Sequence, residues 1–164
     1  MQLRIAGTAD DSVVDGEGYR FTIFTQGCPH HCPGCHNPKT WDEGGGRLAD
    51  TGELLARMAA NPLLSGVTFS GGEPFLQPAP LTEIARAAHA QGRSVWAYTG
   101  WTLEELRKRQ DAAIDALLQE VDVLVDGPYL EAERDLTLRF RGSRNQRLID
   151  MAKTRAAGRA VLWG

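Results

Sequence analysis

The chain has 164 residues, 42% of them hydrophobic and 24% charged, with a net charge of −3. That is the make-up of one ordinary soluble domain with a single core, and it excludes disordered and collagen-like chains. No apolar run reaches the roughly 18 residues a membrane span needs, and the opening MQLRIAGTADD lacks the apolar centre of a signal peptide, so a cytoplasmic protein is expected.

Val13-Val14 and the turn Asp15-Gly16-Glu17-Gly18 lead into a strand over Tyr19–Phe24. A loop holding every cysteine follows at once, and Gly44-Gly45-Gly46 breaks the chain ahead of a first helix. Asp50 N-caps that helix with Glu53 three residues on, and Leu54, Leu55, Met58 and Ala59 supply its apolar face. Gly66–Ser70 reads as a buried strand running into Gly71-Gly72-Glu73-Pro74. A second helix is expected over Pro80–Gln91, stopped by Gly92, then a strand over Ser94–Tyr98. Thr102 and Glu105 form a capping box that opens a third helix running to Leu118, and Val121–Val125 is a further strand ending at Asp126-Gly127-Pro128.

Strand and helix alternate, and the strands are near-continuous apolar runs, the pattern of a parallel sheet covered by helices. An eight-unit barrel takes about 250 residues. The expected fold is therefore α/β, an open partial (β/α) barrel, with residues 1–164 forming one domain. Ligands collect at the carboxyl ends of such strands, where the cysteine loop, Gly71–Glu73, Tyr98-Thr99-Gly100 and Asp126-Gly127 all emerge.

Cys28, Cys32 and Cys35 are the whole cysteine supply and lie within eight residues. An odd number packed this tightly is no disulfide framework, since a pair would leave one thiol over and close a trivially short loop. The spacing C-x3-C-x2-C presents three soft thiolates, suited to zinc or to an iron–sulfur cluster. Two classes stay open on these residues: a cluster with one position free for chemistry, or a closed zinc site completed by His30, His31 or His36 in a binding module without catalysis. One strand-helix unit later, the glycines of Gly71-Gly72-Glu73-Pro74 let backbone approach a ligand, and Glu73 adds a carboxylate, a combination that suits an ammonium group.

Together these two motifs resemble those of the radical S-adenosylmethionine enzymes. The stretch SVVDGEGYRFTIFTQGCPHHCPGCHNPKTWD (Ser12–Asp42) is similar to the glycyl-radical-enzyme activases. The short chain and the string RGSRNQRLID (Arg141–Asp150) resemble the activating subunits of anaerobic (class III) ribonucleoside-triphosphate reductases. The resemblance implies that Cys28, Cys32 and Cys35 bind three irons of a [4Fe–4S] cluster, with S-adenosylmethionine chelating the fourth. It implies that Gly71, Gly72 and Glu73 hold the methionine amine, and that Tyr98, Thr99 and Asp126 meet ribose or carboxylate. Before the third cysteine these enzymes commonly carry an aromatic residue; Gly34 stands there, leaving His36 or a backbone contact to meet adenine.

The implied activity is that of an oxidoreductase with no catalytic residue beyond the cluster and cofactor. An electron from a low-potential donor such as flavodoxin or ferredoxin cleaves S-adenosylmethionine, and the 5′-deoxyadenosyl radical takes hydrogen from a glycine of the large reductase subunit. An activase of another glycyl radical enzyme, such as pyruvate formate-lyase, would share the cysteine loop; chain length and RGSRNQRLID favour the reductase. Seven of the 18 basic residues lie in the last 26, where Asp150 is the only acid. That stretch, Arg139 to Arg159, is a candidate docking surface or a plain solvated face. It lacks the interleaved aromatics that stack bases, so neither nucleic acid nor membrane is expected as a partner.

Overall fold

Four apolar runs lie side by side at the centre of the molecule. In the computed structural model, which describes residues 1–164, β2 (Arg20–Thr25), β4 (Gly66–Gly71), β5 (Ser94–Tyr98) and β6 (Val123–Asp126) pair in parallel in that order. Three antiparallel strands extend this centre. β1 (Gln2–Ser12) pairs with β2, β3 (Arg47–Asp50) lies outside β1, and β7 (Arg147–Asp150) pairs with β6. The order β3-β1-β2-β4-β5-β6-β7 leaves an open, mixed sheet. The expected parallel sheet therefore holds for the centre and is corrected at both edges. Those strands are short or polar, and neighbours rather than apolar runs define them.

The two edge strands share a design. Each is Arg-Leu-Ala/Ile-Asp, and its aspartate caps the next helix. Asp50 accepts from the Gly52 N–H at the start of α1 (Thr51–Ala59), and Asp150 accepts from the Lys153 N–H of α5 (Met151–Ala157). α2 spans Pro78–Ala90, beginning two residues earlier than expected because a proline at the first helical position gives up no internal hydrogen bond.

The third helix expected from Thr102 to Leu118 is two. Thr102 does cap α3 (Leu103–Lys108) by accepting from the Glu105 N–H, but Gln110 takes a left-handed backbone (φ +50°) that ends the ladder. Asp111 then caps α4 (Ala112–Glu120), accepting from Ala113 and Ile114.

Alternation along the strands divides the side chains between two faces. Phe21, Ile23, Val67, Phe69, Val95, Ala97 and Leu124 join Leu54, Met58, Leu81, Ile84 and Leu117 of the helices in the main core. Each such large side chain contributes about 1.5–3 kcal/mol of burial. On the opposite face Trp96, Val123 and Val125 pack with Tyr98, Phe140, Leu148 and Trp163. That face is covered by the irregular segment 127–146 and the C-terminal residues rather than by helices. No helix is long and apolar enough to cross a membrane.

Candidate cofactor site

β2 delivers the chain to the cysteine loop at its C-terminal end. The Gly27 N–H donates to the Thr40 carbonyl and the Cys28 N–H to that of Trp41, while the Gln26 amide donates to the carbonyls of Lys39 and Asp42. The loop is thus closed on itself at its base. Within it, each cysteine follows directly after a residue in the left-handed region: Gly27 (φ +102°), His31 (φ +46°) and Gly34 (φ +76°). Three sharp bends, one before each thiol, bring all three to one cavity of about 260 Å³.

The thiols are free and half-buried. Burial pushes the Cys28 thiol above its usual range, so a thiolate there calls for a cationic partner. No three His, Cys, Asp or Glu side chains converge closely enough to hold a single metal ion. The sulfurs line a cavity instead, a donor set of soft thiolates that fits a multi-iron cluster.

Gly71 and Gly72 face the same cavity. The Gly72 N–H donates to the Thr25 carbonyl and the Glu73 N–H to that of Gly27, each at 2.8 Å, so this loop is fastened to the residues just before Cys28. A Cβ on Gly72 would lie 2.3 Å from the Gly27 oxygen, and Gly71 sits at φ +92°. Only glycine allows that approach.

Glu73 does not reach the cavity. Its side chain is fully buried, and its carboxylate accepts from the Thr99 hydroxyl (2.9 and 3.0 Å), the Gly100 N–H (2.8 Å) and the Phe75 N–H (3.0 Å), with His30 Nε2 at 2.6 Å. Four donors from three segments hold inward the carboxylate that was expected to meet an amine.

Tyr98 lines the cavity and donates its hydroxyl to the Phe140 carbonyl at 2.6 Å; burial pushes the phenol well above its ordinary pKa. Thr99 also borders it, with its hydroxyl engaged by Glu73. Asp126 does not. It is buried, accepts from the Leu103 N–H that opens α3, and pairs with Arg147 Nε at 2.9 Å. The helix start and the guanidinium engage the carboxylate that was expected to meet ribose or carboxylate. Gly127, the next residue, lines the cavity instead. His36 borders the cavity with its ring 5.2 Å from that of Tyr129. A wider trough of about 500 Å³, rimmed by exposed Val13, Val14 and Leu136, adjoins the cavity through Asp15, His36, Tyr98 and Gly142.

Residues 14–149 match the family described as a 4Fe-4S single cluster domain. The anaerobic ribonucleoside-triphosphate reductase-activating protein of Haemophilus influenzae is 35% identical over 144 residues, covering 82% of this chain and 89% of that one. Its namesakes from Escherichia coli and Vibrio cholerae are 34% and 36% identical, each covering 82% of this chain and 90% and 89% of their own length. This chain belongs to the anaerobic ribonucleoside-triphosphate reductase-activating protein family. Among solved structures, QueE from Escherichia coli superposes with a TM-score of 0.47 at 23% identity, over 62% of this chain and 54% of that one.

As a member of this activating-protein family the chain is a radical S-adenosylmethionine oxidoreductase, and its cofactors are a [4Fe–4S] cluster and S-adenosylmethionine. The zinc-stabilised binding module is set aside on the same ground. The departure at Gly34 has a local cause: a Cβ there would stand 2.8 Å from the Glu131 carboxyl carbon, on a left-handed backbone. The left-handed backbone is the lasting obstacle to a side chain there, since the exposed Glu131 carboxylate can swing aside.

Sequence reasoning missed Tyr129, Trp41, Asp15 and Gln146 on the cavity wall, and considered His30 only as a metal ligand. Tyr129 follows Asp126-Gly127-Pro128 directly, and that strand-end turn was the available signal. Asn145 and Gln146 now have assignments. Asn145 Nδ2 donates to the Pro128 carbonyl at 2.7 Å and Gln146 Nε2 to that of Gly127 at 3.2 Å, while Gln146 Oε1 accepts from the N–H groups of Gly142 and Ser143. Part of the C-terminal basic stretch is engaged within the chain. Arg141 donates to the Gln146 carbonyl, Arg147 pairs with Asp126 and Glu104, and Arg155 caps carbonyls at Leu118 and Val121.

Proposed function

We propose that this chain activates an anaerobic ribonucleoside-triphosphate reductase, with Cys28, Cys32 and Cys35 as the three thiolate ligands of its cluster. The observation that carries the reading is the repeated left-handed bend before each cysteine, which turns all three thiols into one cavity opposite Gly71 and Gly72. The backbone of Gly71 and Gly72, fastened to the base of the cysteine loop, receives the amine of S-adenosylmethionine. His36 and Tyr129 offer ring surfaces to adenine in the place where Gly34 offers none. Tyr98 and Thr99 wall the far side, the first by its ring and the second by its backbone.

Once bound, the cluster and S-adenosylmethionine supply one-electron cleavage and removal of a hydrogen atom from a glycine of the reductase. The chain's part is to bind and orient these groups, which turns electron delivery into an intramolecular step. The sheet is the partial barrel of this enzyme class, working as one domain, and the trough rimmed by Val13, Val14 and Leu136 admits the glycine-bearing segment. A low-potential donor such as flavodoxin or ferredoxin supplies the electron in the cytoplasm. Neither nucleic acid nor membrane is a partner on this reading, since the basic stretch lacks the interleaved aromatics that stack bases and no helix is long and apolar enough to cross a membrane.

Electron paramagnetic resonance of anaerobically reconstituted, dithionite-reduced protein tests this. The expected result is a four-iron signal that changes shape on adding S-adenosylmethionine. A Cys32→Ala variant that still forms a glycyl radical on the reductase would overturn the ligand assignment.

A further inference from the structure

One hydrogen-bond donor beside the cysteines has nothing to donate to. Trp41 Nε1 is sealed from solvent and has no partner in the protein. Buried donors without acceptors are rare, and each costs about 1–3 kcal/mol. Trp41 borders the cavity that the three cysteines line.

Its position is fixed by the same loop. The indole stacks on His31, between the first two cysteines, with ring centroids 4.6 Å apart and planes 11° from parallel. Its carbonyl accepts from the Cys28 N–H at 3.1 Å, and the neighbouring Asp42 carbonyl accepts from Gln26. The indole is therefore held on the wall of the cavity that the three cysteines line, and no acceptor of the chain meets its N–H. The other three tryptophans have no such orphaned nitrogen, and two of them, Trp96 and Trp163, pack together in the small apolar cluster across the sheet.

We propose that the Trp41 indole N–H donates a hydrogen bond to a sulfur of the cluster held by Cys28, Cys32 and Cys35, and so sets its reduction potential. The inference rests on the ligand assignment made above. A reduced cluster carries one more negative charge than an oxidised one, so an N–H···S bond stabilises the reduced form more. Trp41 is on this account a positioning and tuning residue: it raises the potential enough for the electron donor to reduce the cluster.

The test is an anaerobic potentiometric measurement on wild-type and Trp41→Phe protein, with the reduced cluster read by electron paramagnetic resonance. Phenylalanine keeps a ring to stack on His31 and removes only the donor. At a fixed poise the variant should show a roughly tenfold lower ratio of reduced to oxidised cluster, which for one electron is about 59 mV. An unchanged potential in a fully loaded variant overturns the proposal. Where the variant fails to load, reduced wild-type protein carrying isotope-labelled indole nitrogen decides by electron–nuclear double resonance: a coupled indole nitrogen supports the proposal, and its absence overturns it. Wild-type protein that takes up no four-iron cluster would instead refute the ligand assignment beneath it.

Discussion

His30 Nε2 lies 2.6 Å from Glu73 Oε1, and that contact joins the cysteine loop to the carboxyl end of β4. The ring also stands edge-on to Trp101 at 4.6 Å and closes over Gly100, whose added Cβ would meet it at 2.5 Å. Glu73 is a buried hub: remove it, and donors from Phe75, Thr99, Gly100 and His30 lose their acceptor together. Glu73→Ala should lower the unfolding free energy of the metal-free, reduced protein by about 3–5 kcal/mol. Urea unfolding followed by circular dichroism checks this; an unchanged midpoint would remove the hub. His30→Ala, which deletes one charged-acceptor bond, should lose about 1.5–3 kcal/mol.

Asp126 owes its place to Arg147, 21 residues later in the chain. With the guanidinium gone, a buried carboxylate keeps only the Leu103 N–H. The full cost of breaking a buried pair applies only in part, because about a third of the Arg147 side chain remains exposed. Arg147→Met should therefore destabilise by about 2–3 kcal/mol, against less than about 0.5 kcal/mol for exposed Lys153→Met. Equal thermal midpoints for the two variants would contradict the pairing.

A pH dependence follows from His89, whose Nδ1 lies 3.0 Å from Glu120 and whose Nε2 lies 2.9 Å from Asp122. Burial works to lower its pKa, but hydrogen bonds and charge from Asp122 and Glu120 outweigh it and hold the imidazole above its ordinary 6.5. A folded pKa above the unfolded one stabilises fully below the unfolded value, and that contribution fades as pH rises through the folded value. The metal-free protein should lose this contribution as pH rises above the unfolded value of about 6.5, and His89→Gln should flatten the curve there. Parallel pH profiles for the two proteins would count against the clamp.

Gly34 makes a backbone prediction. Alanine at φ +76° adds about 1–2 kcal/mol of strain, while the exposed Glu131 carboxylate that its Cβ would meet can swing aside. Gly34→Ala should lower stability by about that amount, and adding Glu131→Gly should recover little of it. Full recovery in the double variant would mean that the left-handed backbone carries no strain.

Much of this architecture is legible in the residues themselves. The parallel centre announces itself because its strands are rich in apolar and β-branched residues between glycine-marked turns, and Asp50 and Thr102 cap the helices that sequence reasoning assigned to them. β1, β3 and β7 leave no such trace: Arg47–Asp50 and Arg147–Asp150 are strands only because β1 and β6 offer them edges. The break at Gln110 is likewise a backbone event without a glycine or proline to mark it. Local spacing was enough to bring the cysteines, Gly71 and Gly72 to one cavity. It could not foresee the inward turn of Glu73 and Asp126, because the donors to each carboxylate come from distant segments: Thr99 and Gly100 for one, Arg147 for the other.

The wall of the cavity formed by residues 127–146 has a single 3-10 turn, Glu131–Glu133, and no strand. It is laced shut from within: Asn145 to Pro128, Gln146 to Gly127, Leu130 to the Ser143 hydroxyl, Arg144 to the Glu133 carbonyl. Parting those few laces leaves every strand pair of β1–β6 intact. Opening therefore belongs to a small local unit with a free energy below that of global unfolding. In hydrogen exchange, the amides of Leu130 and Arg144 should trade their protons well before those of β4 and β5. The wall beside the thiols is thus a separate unit from the frame that holds them, tied to it through Phe140, whose carbonyl meets the Tyr98 hydroxyl and whose ring packs on Trp96 and Trp163.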